Sequence, residues 1–116
     1  TDLVTVFEAM ANQTLSQVDI DIDERAATTV MLVSGGYPEA YEKGKEITGI
    51  ESITDSLVFH AGAIKKEGKV VTSGGRVMAI TSYGDTYQEA IKKSYQSIEK
   101  LHFDKMYYRK DIGFDL

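Results

Sequence analysis

Closely spaced glycines between short strand-like runs constrain the fold of this chain most strongly. Within residues 55–85, two runs typical of β-strands are joined by Glu67-Gly68, and the corner Gly74-Gly75-Arg76 leads into a third run. Two-residue loops of this kind connect antiparallel strands, because their backbone twist matches the twist of the strands. The segment therefore predicts an antiparallel meander in which the cation Arg76 lies beside exposed backbone amides.

The Gly74-Gly75-Arg76 corner is a candidate site for an anionic ligand. Glycines allow backbone groups to approach closely, and a guanidinium offers several rigid donors to phosphate or carboxylate oxygens. A plain hairpin turn with a solvated arginine has the same spacing, so the residues alone leave both interpretations open.

A second glycine pair, in Ser34-Gly35-Gly36-Tyr37-Pro38, predicts a sharp loop at a strand end, a position where ligand-binding residues are common.

Two amphipathic helices are predicted, one near each end of the chain. The first covers residues 2–12, and we expect a core to receive its apolar stripe of Leu3, Val6, Phe7 and Met10. The second begins at Thr86, which forms a capping box with Glu89 three residues later. Its stripe consists of Tyr87, Ala90, Ile91, Ser94, Tyr95, Ile98 and Leu101. We expect this long helix to cover the sheet.

Alternating apolar residues predict the remaining strands. Val18, Ile20 and Ile22 alternate with aspartates and predict a strand with one solvated face, followed by a second strand over residues 26–33. The aspartates lack the features of a calcium loop, so we expect no metal site there. Residues 57–64 predict a further strand, with His60 as a partly buried structural group. Together the elements predict an α+β fold, with an antiparallel sheet of about four strands and a long helix on one face.

Composition excludes several classes of protein and partner. The chain has 116 residues, of which 42% are hydrophobic and 27% charged, as expected for one soluble domain without a membrane partner. The absence of cysteine excludes disulfides, thiolate zinc sites and a cysteine nucleophile, and agrees with the cytoplasmic location that we expect. The net charge of -5 argues against a nucleic-acid partner.

Five segments carry a family resemblance over nearly the whole chain. They are SGGYPEAYEKGKEITG, DSLVFHAG, GKVVTSGGRVMAIT, GDTYQEA and KMYYRKDIG, in this order. In order and spacing they resemble the C-terminal domain of the glycinamide ribonucleotide synthetases, also called phosphoribosylamine-glycine ligases. Residues 1–15 resemble the terminal helix of the ATP-grasp domain that precedes it, which leaves residues 16–116 as the C-terminal domain. The chain opens on Thr1, and we expect it to be an excised piece of a longer enzyme.

The resemblance implies an ATP-dependent carbon-nitrogen ligase of de novo purine biosynthesis. In this family, 5-phosphoribosylamine, glycine and ATP give glycinamide ribonucleotide, and the glycine carboxylate passes through an acyl phosphate that the amine attacks. The magnesium-binding and nucleotide-binding motifs of the family lie outside the matching segments. We therefore expect Mg and ATP to be bound mainly by the missing N-terminal and ATP-grasp domains. We also expect the intact enzyme to be monomeric and this chain alone to be inactive.

The resemblance further implies that this chain forms one wall of the active-site cleft. We expect Arg76 and the amides of the preceding glycines to hold the phosphate or ribose end of 5-phosphoribosylamine, while the other glycine loop lines the same cleft. The predicted substrate-binding residues are Gly35, Gly36, Tyr37, Gly74, Gly75 and Arg76, with no catalytic or metal-binding residue. Two alternatives stay open at this point: a stand-alone anion-binding or regulatory α+β module, and a structural subunit that uses the first helix as an interface.

Overall fold

A four-stranded antiparallel sheet with one helix packed on it forms the body of the structure. The computed structural model describes residues 1–116. Its elements are α1 (Leu3–Ala11), β1 (Ala26–Ser34), β2 (Leu57–His60), β3 (Ala63–Lys66), β4 (Lys69–Thr72), β5 (Arg76–Gly84), α2 (Tyr87–Ile98) and β6 (Met106–Tyr107). The predicted α+β class, with about four antiparallel strands and a long helix on one face, is confirmed. No helix has both the length and the apolar character that crossing a membrane requires.

The sheet has the order β2-β5-β1-β6. The predicted meander is wrong, because β3 and β4 form a separate two-stranded sheet and β5 pairs with β1 and β2. β1 and β5 have nine residues each and form a much longer ladder than the four-residue β4 could offer. The expected single strand over residues 57–64 is interrupted at Ala61-Gly62, where the chain leaves the main sheet.

The hydrophobic core lies between the sheet and α2. Val30 and Leu32 of β1 and Val77, Met78 and Ile80 of β5 are fully buried. Covering each of these side chains contributes about 1.5 to 3 kcal/mol. From α2 and the segment after it, the core receives Ala90, Ile98, Leu101 and Phe103, which confirms the predicted apolar stripe. The Thr86 side chain caps α2 by accepting a hydrogen bond from the Glu89 N–H at 3.3 Å.

A chain of hydroxyl groups joins α2 to the sheet. The Ser97 and Ser56 oxygens lie 2.6 Å apart, Ser56 and Ser82 lie 2.7 Å apart, and Ser94 donates to Ser82 at 2.8 Å. Thr28 of β1 completes the chain, 3.0 Å from Ser94. Because each buried hydroxyl has a partner, small polar residues bring the helix close to the sheet without leaving an unsatisfied group.

The first 25 residues lie largely outside the core. α1 forms as predicted, and the Asp2 carboxylate caps it by accepting from the amides of Val4 and Thr5 at 2.9 and 3.1 Å. The expectation that a core receives its apolar stripe is wrong for this chain, since Leu3, Phe7 and Met10 are all more than half exposed. Only Ala9 of this helix is buried.

The predicted strand at Val18, Ile20 and Ile22 is also wrong. These residues belong to no strand and pair with none, and Ile20 and Ile22 are exposed. The only side-chain hydrogen bonds to this segment come from Thr1, whose hydroxyl donates to the Asp19 carbonyl and accepts from the Asp21 amide. Alternation predicts an extended backbone, but a ladder also needs a partner edge, which this chain does not supply.

Replacing Ser82 with alanine tests the hydroxyl chain. Ser82→Ala removes the central member, so Ser56 and Ser94 each lose a partner at the partly buried contact between α2 and the sheet, and we expect the free energy of unfolding to fall by about 1 to 3 kcal/mol. Urea unfolding measures this change. Ser52→Ala is the control, because Ser52 is exposed and its hydroxyl makes no hydrogen bond, and its effect should stay within about 0.5 kcal/mol. Equal stabilities of the two variants would contradict this role.

Candidate functional site

A β-bulge at the start of β5 turns Arg76 away from α2. Leu32 pairs with Met78, but the next residue of β1, Val33, pairs with Arg76, so Val77 is the extra residue. Leu32 and Met78 are buried on the α2 side, and paired residues in a ladder share a face of the sheet. Arg76 therefore lies with Val33 on the opposite face, which we call the open face. Bulges commonly re-aim a side chain in this way.

Ser34 joins the end of β1 to the loop that precedes Arg76. Its N–H donates to the Gly75 carbonyl at 2.8 Å, and its hydroxyl donates to the Gly74 carbonyl at 2.9 Å. Ser34 is only 4% exposed, so both bonds are shielded from water. Two loops that are far apart in sequence, residues 34–38 and residues 73–75, are thus held in one position.

Gly62 brings a third loop to the same place. Its N–H donates to the Arg76 carbonyl at 2.7 Å, and its carbonyl accepts from the Ser73 N–H at 2.8 Å. A Cβ on Gly62 would lie 2.6 Å from the Arg76 carbonyl oxygen and 2.8 Å from the Gly74 Cα, so only glycine fits there. We call the five glycines of these three loops the glycine cluster: Gly35, Gly36, Gly62, Gly74 and Gly75.

Tyr37 packs directly on the backbone of Gly75. A Cβ on Gly75 would overlap the Tyr37 ring, and the other side of Tyr37 meets Tyr41 edge-on, with ring centroids 6.1 Å apart. The peptide bond between Tyr37 and Pro38 is cis. Tyr37 remains 39% exposed, so part of the residue faces solvent beside the glycine cluster.

The backbone amides before Arg76 are free donors. The N–H groups of Gly74 and Gly75 make no hydrogen bond within the chain, although Gly75 is buried. Buried amides without a partner are uncommon in folded proteins. These two amides directly precede Arg76 in the chain, and backbone amides and a guanidinium are both donors to phosphate or carboxylate oxygens.

Arg76 differs from the nearby lysines in having no ionic partner. The Lys45 ammonium lies 2.9 Å from the Glu42 carboxylate, and Lys105 lies 3.7 Å from the same group. The hydrogen bond from Lys45 lowers the pKa of Glu42 and raises that of Lys45. Arg76 is exposed and its guanidinium makes neither an ion pair nor a hydrogen bond. Its charge is therefore free for a ligand.

The structure brings four of the six predicted residues into direct proximity: Tyr37, Gly74, Gly75 and Arg76. Gly35 and Gly36 belong to the adjoining loop but approach other backbone groups, those of Lys105 and Ala40 respectively. Their role in substrate binding stays a prediction, as does that of the other four. The reasoning from sequence missed Gly62 and the clamp formed by Ser34, because only the long-range contacts show that these residues meet the corner.

His60 is more exposed than the sequence predicts. It lies exposed at the end of β2, whereas the sequence predicts a partly buried group. It borders an open groove with Glu46, Glu51 and Lys69. The four-residue β2 lies at the edge of the sheet, whereas α2 packs on the central strands β1 and β5.

Comparisons with known proteins agree over almost the entire chain. Residues 27–115 match the family described as phosphoribosylglycinamide synthetase, C domain. A phosphoribosylamine-glycine ligase of Caldanaerobacter subterraneus subsp. tengcongensis is 44% identical over 113 residues, covering 97% of this chain and 27% of that protein. A bifunctional purine biosynthetic protein of Schizosaccharomyces pombe is 41% identical over 114 residues, covering 97% of this chain and 14% of that protein.

A solved structure has the same fold. The crystal structure of phosphoribosylamine-glycine ligase from Thermotoga maritima superimposes with a TM-score of 0.74 at 39% identity, over 90% of this chain and 27% of that chain. The chain thus spans about a quarter or less of the length of these relatives.

A double-mutant cycle tests the contact between Gly75 and Tyr37. Gly75→Ala places a methyl group where the ring lies, so we expect a loss of about 1 to 3 kcal/mol in unfolding free energy. In a Tyr37→Ala background the ring is gone, and the same change should cost less than about 1 kcal/mol because the two sites are coupled. Denaturant unfolding of the four proteins measures the coupling. An equal cost in both backgrounds would show that the ring does not pack on Gly75.

Proposed function

Because this chain belongs to the family of phosphoribosylglycinamide synthetase C domains, we propose that it forms one wall of the active-site cleft of a phosphoribosylamine-glycine ligase. The observation that carries the proposal is the continuous alignment with proteins of that name over 97% of the chain. Their names describe a ligase and a purine biosynthetic protein, which favours this function over a stand-alone anion-binding or regulatory module.

The proposed reaction joins glycine to 5-phosphoribosylamine with ATP and gives glycinamide ribonucleotide, ADP and phosphate. A carboxylate does not react with an amine until it is activated, and an acyl phosphate of glycine would provide that activation. The amine of the sugar then attacks the acyl carbon, and phosphate leaves. Such an intermediate needs a site that aligns both reactants and excludes water.

Arg76 and the glycine cluster are proposed to hold the charged sugar. The free guanidinium offers a planar pair of donors to the phosphate or ribose end of 5-phosphoribosylamine, and the amides of Gly74 and Gly75 add two further donors. Ser34 and Gly62 would keep this arrangement rigid through their hydrogen bonds to the same loop. A rigid donor set binds at a lower entropic cost than a mobile one.

Mg and ATP are proposed to bind elsewhere in the longer polypeptide. No group of three or more histidine, cysteine, aspartate or glutamate side chains in this chain is arranged to hold a metal ion. We assign magnesium and nucleotide binding to the N-terminal and ATP-grasp domains, as the family resemblance implies. The proposed enzyme is a cytoplasmic monomer.

An activity assay on the longer polypeptide tests the ligase function. We expect phosphate release that requires glycine, 5-phosphoribosylamine and ATP together, with glycinamide ribonucleotide as the product. The 116-residue chain alone should release none, because the nucleotide-binding parts are proposed to lie outside it. Product analysis by mass spectrometry distinguishes ligation from simple ATP hydrolysis. A longer polypeptide that folds and binds ATP but forms no glycinamide ribonucleotide would contradict the proposal.

Substitution of Arg76 tests the binding site within that enzyme. Arg76→Ala should raise KM for 5-phosphoribosylamine by roughly 10- to 100-fold, since one or two charged hydrogen bonds are lost. KM for ATP should stay nearly unchanged. Arg76→Lys should give an intermediate value, because it keeps the charge but loses the planar pair of donors.

Arg25→Ala is the matched control for Arg76→Ala. Arg25 precedes the opposite end of β1, where it pairs with Asp23 at the surface. Steady-state kinetics should therefore show a normal KM for 5-phosphoribosylamine in this variant. A normal KM for 5-phosphoribosylamine in Arg76→Ala would show that Arg76 does not bind this substrate.

A further inference from the structure

The Gly75 amide combines two properties that conflict in a binding site. Its N–H makes no hydrogen bond within the chain, so it is available as a donor, yet Gly75 is buried. A ligand oxygen must lie about 3 Å from an amide nitrogen to accept its hydrogen bond. Because the burial arises within this chain, a covering group of the chain itself has to move before a ligand reaches this donor.

The Tyr37 ring is the covering group. The three atoms nearest to the position of a Cβ on Gly75 are the ring carbons Cδ2, Cε2 and Cγ of Tyr37, and even Cγ lies only 2.9 Å from it. This position and the amide nitrogen are both one bond from the Gly75 Cα, so the ring lies beside the N–H. The Ser34 N–H, in contrast, donates to the carbonyl of Gly75 and leaves its amide clear.

Few contacts hold the Tyr37 ring in this position. The hydroxyls of Tyr87 and Tyr95 donate to backbone carbonyls at 2.9 and 2.8 Å, whereas the Tyr37 hydroxyl makes no hydrogen bond. Tyr37 is 39% exposed, and Tyr41 meets its ring edge-on. Exposed side chains change rotamer within nanoseconds. The ring can therefore leave Gly75 without breaking a hydrogen bond.

The loop that carries the amide does not depend on the ring for its position. The Ser34 hydroxyl donates to the Gly74 carbonyl at 2.9 Å, and the Gly62 carbonyl accepts from the Ser73 N–H at 2.8 Å. A rotation of Tyr37 about its Cα–Cβ bond leaves these bonds intact. It uncovers the Gly75 N–H directly before the exposed Arg76 in the chain.

We infer that Tyr37 is a movable cover of the Gly75 amide, and that an anionic ligand binds Arg76 and this amide after its ring has moved away. A phosphate oxygen in place of the ring gives the buried N–H the partner that it lacks, so the ligand favours the open position. The cover lowers the apparent affinity, because only the open fraction binds. The inference deepens the proposed function and rests on it for the identity of the ligand, the phosphate end of 5-phosphoribosylamine.

Ligand binding to the intact polypeptide tests the cover. Isothermal titration calorimetry gives Kd for glycinamide ribonucleotide and, separately, for inorganic phosphate. Tyr37→Ala removes the ring, and we expect Kd for both probes to fall by roughly 3- to 30-fold, because the open fraction no longer limits binding. Tyr37→Phe is the matched control. It keeps the ring and loses only a hydroxyl without a hydrogen bond, so its Kd should stay within about twofold of the wild-type value.

Fluorine NMR follows the ring itself and needs no truncation. In the intact polypeptide labelled with 3-fluorotyrosine, the resonance that is absent from Tyr37→Phe belongs to Tyr37. We expect this resonance to shift when glycinamide ribonucleotide or phosphate is added, because the ring leaves Gly75. The measurement decides the question if Tyr37→Ala does not fold.

The sign of the change separates a cover from other roles. A ring that stacks on the ligand or holds the loop would give a larger Kd in Tyr37→Ala, and an equal or larger Kd in the folded variant would overturn the inference. An unchanged Tyr37 resonance at saturating ligand would also overturn it. Tighter binding of phosphate alone, with no binding of glycinamide ribonucleotide, would keep the cover and reject the proposed ligand. Binding of neither probe to any of the three proteins would reject both.

Discussion

The antiparallel ladder between β1 and β5 is the interaction on which the rest of the structure depends. It supplies the buried rows that α2 covers, and it carries β2 on one side and β6 on the other. The single irregularity of this ladder is the bulge at Val77. It places Arg76, the first residue of β5, on the open face. Without that extra residue the alternation would aim Arg76 at α2 and into the core, where an unpaired guanidinium could not remain charged without a large desolvation cost. One inserted residue thus lets the same strand build the core and present a cation on the opposite face.

The two faces of the sheet differ in how far other parts of this chain cover them. The face under α2 is closed by apolar side chains and by the hydroxyl chain from Thr28 to Ser97, so its packing is complete within this chain. The open face is covered only in part, since Ala79 is buried but Phe59 and Leu57 are exposed and the exposed Arg76 lies at its end. The glycine cluster lies where this face meets the loops. There, Ser34 and Gly62 hold the backbone with hydrogen bonds, and the amides of Gly74 and Gly75 are left free. A packed core on one face and a partly uncovered surface on the other agree with the proposed role of this chain as one wall of a catalytic cleft.

Local pattern predicted most of the elements but not how they pair. The helical spacing and capping box of α2, the apolar run of β1 and the turn at Glu67-Gly68 depend on neighbouring residues, and all three are confirmed. Strand pairing depends on contacts between distant residues, so the separate β3–β4 sheet and the two-residue β6 could not be read from spacing. The strand predicted around Ile20 is absent, because its residues alternate as in a strand but no partner strand pairs with them. For the candidate site, glycine pairs beside an arginine indicated the loop before β5, whereas the contacts of Gly62 and Ser34 with that loop required the folded structure.

The proposal that Arg76 and the free amides of the glycine cluster hold the charged sugar on the open face is tested most directly by a crystal structure of the intact polypeptide with glycinamide ribonucleotide bound. It predicts phosphate or ribose oxygens within about 3 Å of the Arg76 guanidinium and of the Gly74 or Gly75 nitrogen. A ligand that is bound with full occupancy and touches none of these groups would contradict it.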